Sequence, residues 1–259
     1  MPRALSLNAA SRRLRAPLLH LAASAGIAAL AAVLVFLIWY PPPYAALTGG
    51  VSLFLLLVSV DVVLGPALTA VAADPAKPRR VFQRDLAVIV ALQMAGLVYG
   101  LYSISLARPV YLSFEVDRLR VVTAADVDTS TLFEALPEFR DLPWHGPKLI
   151  AAVRPTRPDE VLRSIDLALA GVDISMLPSQ WRSYASQKDA VLRIARPATE
   201  LEAHYPEAQP KVAELAARIG KAPRELRFLP VLGRQASAVA LIDPSDAGIV
   251  GMLPFDGFF

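Results

Sequence analysis

The sequence contains no cysteine and few charged residues for its length of 259 residues. The absence of cysteine excludes disulfide bonds, thiol nucleophiles and zinc sites with thiolate ligands. Acidic residues, lysine and arginine make up 19% of the chain, against about 25% in a typical soluble protein. The deficit is confined to residues 16–107, which are mostly leucine, valine, alanine and isoleucine. Residues 109–259 have the composition of an ordinary soluble domain.

Three apolar runs, at about residues 16–40, 49–73 and 86–107, are each long enough to cross a bilayer as a helix. The first could also be a signal peptide, because Arg12, Arg13 and Arg15 precede it. However, it is too long for the apolar part of a signal peptide, and it ends in Trp-Tyr-Pro-Pro-Pro rather than in a small-residue cleavage site. We therefore expect an uncleaved anchor and a domain of three transmembrane helices over residues 16–108.

The basic residues predict the side of the membrane on which each connection lies. Up to Arg108 the chain has nine basic and three acidic residues, and the remainder has a net charge of −3. Basic side chains occur in residues 1–15 and 74–85 but not in residues 41–48. Short basic segments stay in the cytoplasm, so we expect residues 1–15 in the cytoplasm and residues 109–259 in the periplasm, with the protein in the bacterial inner (cytoplasmic) membrane. Membrane lipids are therefore expected partners, and the charge pattern argues against nucleic acid.

Strand-like and helix-like segments alternate in residues 109–259, which predicts an α+β domain. The expected strands are residues 110–116, 119–122, 148–153, 228–233, 236–242 and 248–253. The expected helices are residues 129–136, 158–170, 180–194 and 211–219. Asp128, Thr129 or Ser130 is expected to cap the first of these helices.

No catalytic or metal-binding pattern is present in the sequence. His145 and His204 are far apart, and the spacing of Glu200, Glu202 and His204 does not place all three side chains on one helical face. A glycine-rich phosphate loop and a nucleophile elbow are also absent. We therefore expect a non-enzymatic protein without a cofactor or a bound metal.

The candidate binding residues lie in the second and third apolar runs. Asp61 is near mid-bilayer, where a carboxylate costs about 3 kcal/mol to insert. Gly65 and Pro66 follow one turn later and predict a kink or a local opening of the helix. Counting residues from the cytoplasmic connection places Tyr99 at a similar depth and Gln93 about two turns lower. Asp61 therefore either accepts a hydrogen bond from Tyr99 or a serine, or contacts a transmembrane helix of another protein.

A GxxxG spacing in the third run, Gly96 to Gly100, allows the backbone of another helix to approach closely. Together with the residues above, it completes the set of predicted partner-binding residues. These are Asp61, Gly65, Pro66, Gly96, Tyr99 and Gly100.

Several short motifs are typical of one family. Residues 60–69 read Val-Asp-Val-Val-Leu-Gly-Pro-Ala-Leu-Thr, and residues 74–78 read Asp-Pro-Ala-Lys-Pro, followed by Arg84-Asp85-Leu86. Residues 108–111 read Arg-Pro-Val-Tyr, and residues 114–118 read Phe-Glu-Val-Asp-Arg. Over about residues 17–122 the chain resembles the type IV pilin accessory proteins of the TfpX/TfpZ kind.

The resemblance implies a function in pilus biogenesis and no catalysis. It implies an inner-membrane helper that binds a type IV major pilin. The helper would contact the transmembrane helix and the globular head of the pilin and modulate the stability or assembly of the pilin. The alternative is a membrane-anchored periplasmic sensor or binding protein unrelated to pilin. Because the expected cytoplasmic segments are short, they leave no room for the output domain of a sensor.

Overall fold

The computed structural model describes residues 3–74 and 77–259, with the side chains of residues 15–74, 77–158 and 160–259. Met1 and Pro2 of the expected cytoplasmic segment, and Pro75 and Ala76 of the basic connection, lie outside the described residues. The chain forms two units. The membrane unit comprises the residues up to Ile38 together with Gly50–Leu106, and the C-terminal unit comprises Trp39–Gly49 and Ala107–Phe259.

Among the described residues, three helices are long and apolar enough to cross a membrane. These are span 1 (Arg15–Trp39), span 2 (Gly50–Ala72) and span 3 (Arg79–Leu106). The α-helices of this part of the chain are α1 (Arg3–Val33), α2 (Tyr44–Thr48), α3 (Gly50–Ser59), α4 (Gly65–Ala72) and α5 (Arg79–Leu106). Two π-helical segments continue α1 and join α3 to α4, at Leu34–Trp39 and Val60–Leu64.

Span 3 begins at Arg79, seven residues before the start expected from the apolar run. Residues 79–85 contain three arginines and an aspartate, so their hydropathy does not mark them as part of a span. Arginine and glutamine nevertheless favour helix, and Pro78 directly precedes the first helical residue. The charged residues therefore extend the apolar helix by about two turns toward the connection with span 2.

The C-terminal unit contains one mixed eight-stranded sheet with helices, which confirms the predicted α+β class. The strands are β1 (Pro109–Glu115), β2 (Arg118–Thr123), β3 (Lys148–Ala152), β4 (Trp181–Ser183), β5 (Arg196–Pro197), β6 (Arg227–Leu232), β7 (Ser237–Ile242) and β8 (Ile249–Leu253). The α-helices are α6 (Pro158–Leu169), α7 (Lys188–Ile194), α8 (Ala198–His204) and α9 (Gln209–Arg218).

The strand order is β4-β3-β1-β2-β6-β7-β8, with the short β5 paired to β6. Strand β1 forms an antiparallel hairpin with β2 and a parallel pair with β3. Strands β6, β7 and β8 form an antiparallel meander that joins the hairpin through a parallel pairing of β2 with β6. Every residue of β1 is buried, so the hairpin lies in the centre of the sheet.

The connection between spans 1 and 2 folds with the C-terminal unit. Tyr40 is fully buried, and Leu47 packs in the core with Leu112 and Leu229. The backbone N–H of Gln235 donates to the carbonyl oxygen of Leu47 at 2.9 Å. Residues 39–49, which the sequence-based boundary placed in the membrane domain, therefore group with the C-terminal unit.

This packing has a consequence for topology. A connection that shares a hydrophobic core with residues 107–259 must lie on the same side of the membrane as those residues. An arrangement of three spans has this property. Span 2 takes the chain back across the membrane, and span 3 then returns it to the side on which the connection between spans 1 and 2 lies.

Most elements expected in the C-terminal unit are present, but residues 180–194 do not form one helix. Trp181–Ser183 is strand β4, a short 3₁₀ turn follows, and the helix begins at Lys188. The cause is tertiary, because β4 pairs with β3 and the Trp181 indole is enclosed in the core. The helix expected at residues 129–136 is the 3₁₀ segment Thr129–Glu134, and Asp128, one of the three expected caps, accepts a hydrogen bond from the Ser130 N–H at 2.9 Å.

Candidate functional site in the membrane helices

Asp61 lies in the π-helical turn Val60–Leu64 that separates α3 from α4. Pro66 lacks an N–H group, so it cannot donate to the carbonyl four residues earlier in the helix. The local opening of the helix expected before Gly65 and Pro66 is present as this turn. Single π-helical turns frequently occur at functional sites.

Gln93 of span 3 is the hydrogen-bonding neighbour of this turn. Its Nε2 atom donates to the backbone oxygen of Asp61 at 2.9 Å. A Cβ atom on Gly65 would overlap the Gln93 amide, so a larger residue at position 65 would require this amide to move. The other Gln93 amide atom, Oε1, is buried and has no hydrogen-bond partner among the described residues.

Tyr99 is not the neighbour of Asp61, which corrects the estimate of depth. The Tyr99 side chain is 72% exposed on the outside of the membrane unit. The estimate counted from Asp85, whereas the helix begins at Arg79. Counted from there, Gln93 is about 21 Å along span 3, and Asp61 is about 17 Å from the end of α4, at 1.5 Å per residue.

A cleft of about 120 Å³ connects Asp61 with polar residues of the other two spans. Span 2 contributes Asp61, span 1 contributes His20 and Ser24, and span 3 contributes Gln93. The remaining lining is apolar. Asp61 is partly exposed at this cleft. Ionisable groups are expensive in a membrane and usually mark functional sites, so the cleft is the candidate site of the membrane unit.

The His20 ring has a structural partner close to the cleft. Its Nδ1 atom lies 2.6 Å from the hydroxyl oxygen of Thr69, which is fully buried in span 2. This hydrogen bond satisfies one ring nitrogen and joins spans 1 and 2. In the cleft itself Gln93 bonds Asp61, and the Gln93 Oε1 has no hydrogen-bond partner among the described residues.

The two glycines of the GxxxG pair have different surroundings. A Cβ atom on Gly100 would collide with the Leu57 side chain of span 2, whereas a Cβ atom on Gly96 would meet nothing within 4 Å. Gly100 therefore allows spans 2 and 3 to pack, and Gly96 lies on the outward surface with Tyr99. The six predicted residues thus divide between the interior of the unit and its outer surface instead of forming one site.

Comparison with known proteins identifies the family. A model of the fimbrial assembly protein FimB matches residues 8–49. The chain is 32% identical over 243 residues to the fimbrial assembly protein of serogroup I from Dichelobacter nodosus, which covers 93% of this chain and 94% of that protein. The chain belongs to the fimbrial assembly protein family. The serogroup E1 protein of the same organism is 31% identical over the same shares of both chains.

Membership in the fimbrial assembly family confirms the resemblance to type IV pilus accessory proteins. A shorter match, 38% identical over 120 residues, is to the protein of serogroups C1 and C2 from Dichelobacter nodosus; it covers 46% of this chain and 88% of that protein. No solved structure matches the chain. The first two relatives align over both units, so the C-terminal unit as well as the membrane unit belongs to the family.

His20, Ser24 and Gln93 are members of the cleft that sequence reasoning did not include in the site of this fimbrial assembly protein. The signal was visible in principle, because a polar side chain in an apolar span is rare and tends to face protein. What the sequence does not give is the rotation and axial offset of three helices, which determine whether these side chains meet.

Gly100→Leu is expected to destabilise the membrane unit by about 1–3 kcal/mol, the usual cost of inserting atoms into a packed contact. Gly96→Leu is the matched control, since the same substitution four residues away meets open space. Detergent-induced unfolding of the purified full-length protein measures both. Equal destabilisation by the two substitutions would contradict the packing described here.

Proposed function

We propose that this fimbrial assembly protein is a non-enzymatic accessory protein of the bacterial inner membrane. It binds a cognate type IV pilin and modulates the stability of that pilin or its assembly into pili. The polar cleft around Asp61 carries the proposal, because an ionisable group within a membrane-spanning segment usually marks a functional site. Its relatives are named fimbrial assembly proteins, which supports a partner from the pilus system.

The division of the chain into two units also supports a pilin as the partner. Before assembly, a type IV pilin has one apolar anchor helix in the membrane and a globular head outside it, as the family resemblance implies. The membrane unit offers the anchor helix a cleft with hydrogen-bonding groups. The C-terminal unit offers the head a folded surface on one side of the membrane.

The proposal is tested by capture of the pilin with the affinity-tagged full-length protein from cells that produce both. We expect the pilin to co-purify in mild detergent after brief crosslinking, and deletion of the accessory protein to reduce surface pili severalfold. Absence of pilin from the captured material, together with normal piliation of the deletion strain, would refute the proposal. That result would favour a membrane-anchored sensor or binding protein unrelated to pilin.

The orientation has its own prediction. Alkaline phosphatase is active only after export, so a fusion after Ala124 is expected to be active and a fusion after Arg80 inactive. A third fusion after Thr48 is expected to be active, because the connection between spans 1 and 2 shares the core of the C-terminal unit. Activity of the fusion at Arg80, or inactivity at Thr48, would contradict the arrangement.

A further inference from the structure

Residues 143–146 form a loop shortly before strand β3, and we call it the junction loop. It contacts the chain at the two points where spans 1 and 3 end. Span 1 ends at Trp39, and span 3 ends at Leu106, two residues before Arg108. No function described above uses this loop.

Side-chain contacts hold the junction loop at both span ends. The Nε atom of Arg108 donates to the carbonyl oxygen of Pro143 at 3.3 Å. The guanidinium carbon of Arg108 lies 4.6 Å from the centroid of the Trp144 ring. The same ring lies 6.3 Å from the ring of Trp39, measured between centroids. Trp144 is therefore next to the last residue of span 1 and to the second residue after span 3.

The backbone of the junction loop also fits closely against the residues after span 1. Gly146 has a φ angle of 44°, a conformation that favours glycine. A Cβ atom at this position would lie 3.0 Å from the Cγ atom of Pro41. A larger residue would therefore be strained and would press on the first connection.

These contacts place Trp144 at the level of the lipid headgroups. Arg108 follows the last residue of span 3 by two positions, which is at most about 7 Å of chain. The headgroup layer extends about 5–8 Å beyond the hydrocarbon core on each side of a bilayer. A ring in contact with Arg108 and next to Trp39 therefore lies within or at the edge of that layer.

The exposure of Trp144 distinguishes it from the aromatic residues around the end of span 1. Trp39 is 7% exposed, Tyr40 is completely buried, and Tyr44 packs against the core of the C-terminal unit. The Trp144 side chain is 60% exposed. Tryptophan is enriched at membrane–water interfaces, because its ring is apolar and its N–H group is polar. Trp144 thus has the position and the exposure of an interfacial residue.

We propose that Trp144 inserts into the lipid headgroup layer on the side of the C-terminal unit and anchors the junction loop to the bilayer. Lipid is the occupant of this exposed surface because the surface is continuous with the ends of two membrane spans. The nearby exposed residues Arg140, Asp141 and Lys148 carry charges of both signs, so a zwitterionic phospholipid is expected to suffice. The proposal is independent of pilin binding.

The first test is quenching of tryptophan fluorescence by brominated lipid, which acts only at short range. The chain has three tryptophans, so full-length Trp39→Phe retains Trp144 and the completely buried Trp181. In phosphatidylcholine vesicles, bromine atoms near the headgroup end of the acyl chains are expected to reduce its emission by at least a quarter. Bromine atoms near the chain ends should have less than half of that effect. Trp39→Phe/Trp144→Phe is the control, and its emission is expected to change by less than a tenth.

The second test leaves Trp39 unaltered and therefore decides the question if Trp39→Phe folds poorly. A photoreactive phenylalanine analogue replaces Trp144 in cells that produce the full-length protein and the pilin. Ile165 is the matched control position, because it is 51% exposed and lines a groove with residues 115–118 at the far end of β1. That end is about 20 Å along the strand from Pro109. We expect at least fivefold more phospholipid adduct at position 144 than at position 165.

Three results would overturn the proposal. Emission of Trp39→Phe that brominated lipid does not change, together with no lipid adduct at position 144, would show that the ring does not contact lipid. Equal lipid adducts at positions 144 and 165 would show that the contact is not specific to the junction loop. An adduct of pilin instead of lipid at position 144 would assign the ring to a protein interface, and it would support the proposed function while excluding the lipid anchor.

Discussion

Trp181→Ala is expected to lower the free energy of unfolding of the C-terminal unit by about 3–5 kcal/mol, the usual range for removing a buried aromatic side chain. Trp181 is completely buried, and its ring centroid lies 4.7 Å from that of Tyr111 in β1. Its indole N–H donates to the carbonyl oxygen of Ser175 at 2.8 Å. The substitution therefore creates a cavity and also leaves a buried carbonyl without its donor.

The effect is measured as resistance of the full-length protein to brief proteolysis at increasing urea concentration. Phe133→Ala is the control, because Phe133 is also aromatic but 69% exposed, and it should change stability by less than about 0.5 kcal/mol. Equal stability of the two variants would show that the core around Trp181 is wrongly described.

The membrane spans and the sheet could be predicted because their signals are local. Three apolar runs of sufficient length define the spans, and strand-like segments bounded by turn residues define β1, β2, β6, β7 and β8. The prediction of a helix was wrong for Trp181–Ser183, because the strand conformation of this segment depends on pairing with β3 and on burial of one indole. The pattern of apolar residues within the segment does not indicate either contact, so the helix propensity of residues 180–194 favoured a helix.

The connection between spans 1 and 2 could not be assigned from the sequence for a different reason. Tyr40 and Tyr44 follow a transmembrane helix, where aromatic residues usually contact lipid headgroups. In the structure Tyr40 is buried in the C-terminal unit, and Tyr44 packs against the same core as Leu47. Burial raises the pKa of the Tyr44 hydroxyl to about 12. The contacts come from residues more than sixty positions later in the chain, which a local pattern does not encode.

The candidate site was predictable in part. Asp61, Gly65 and Pro66 were identified because a carboxylate, a glycine and a proline are each unusual in an apolar span. Gln93 was not identified as the neighbour of Asp61, because the depth of Gln93 in the membrane depends on where span 3 begins.

The second large effect is expected at Asp61. Gln93 donates to the backbone oxygen of Asp61 at 2.9 Å, and every substitution at position 61 retains this contact even where the side-chain contact with Gln93 is lost. Asp61→Asn and Asp61→Leu should therefore leave the membrane unit folded. Asp61→Asn keeps the shape and hydrogen-bonding capacity but removes the charge, whereas Asp61→Leu removes both. If the carboxylate contacts the pilin helix, we expect pilin capture to fall at least tenfold in Asp61→Leu and measurably in Asp61→Asn.

A control substitution separates this effect from a general loss of negative charge. Asp85→Asn removes an aspartate that pairs with Lys77 at 3.1 Å at the beginning of span 3, outside the cleft. It is expected to leave both the abundance of the protein and pilin capture unchanged. Surface piliation is measured in the same strains, because a defect in capture should reduce the number of pili in the Asp61 variants only.

The central claim, that Asp61 recognises the pilin in the membrane, is tested most directly by measuring abundance and pilin crosslinking together in Asp61→Leu. The predicted result is an abundance within twofold of the wild type and at least a tenfold loss of crosslinked pilin. Loss of the protein itself in both Asp61→Asn and Asp61→Leu would instead assign the residue a structural role. Normal crosslinking by a well-expressed Asp61→Leu variant would contradict the claim.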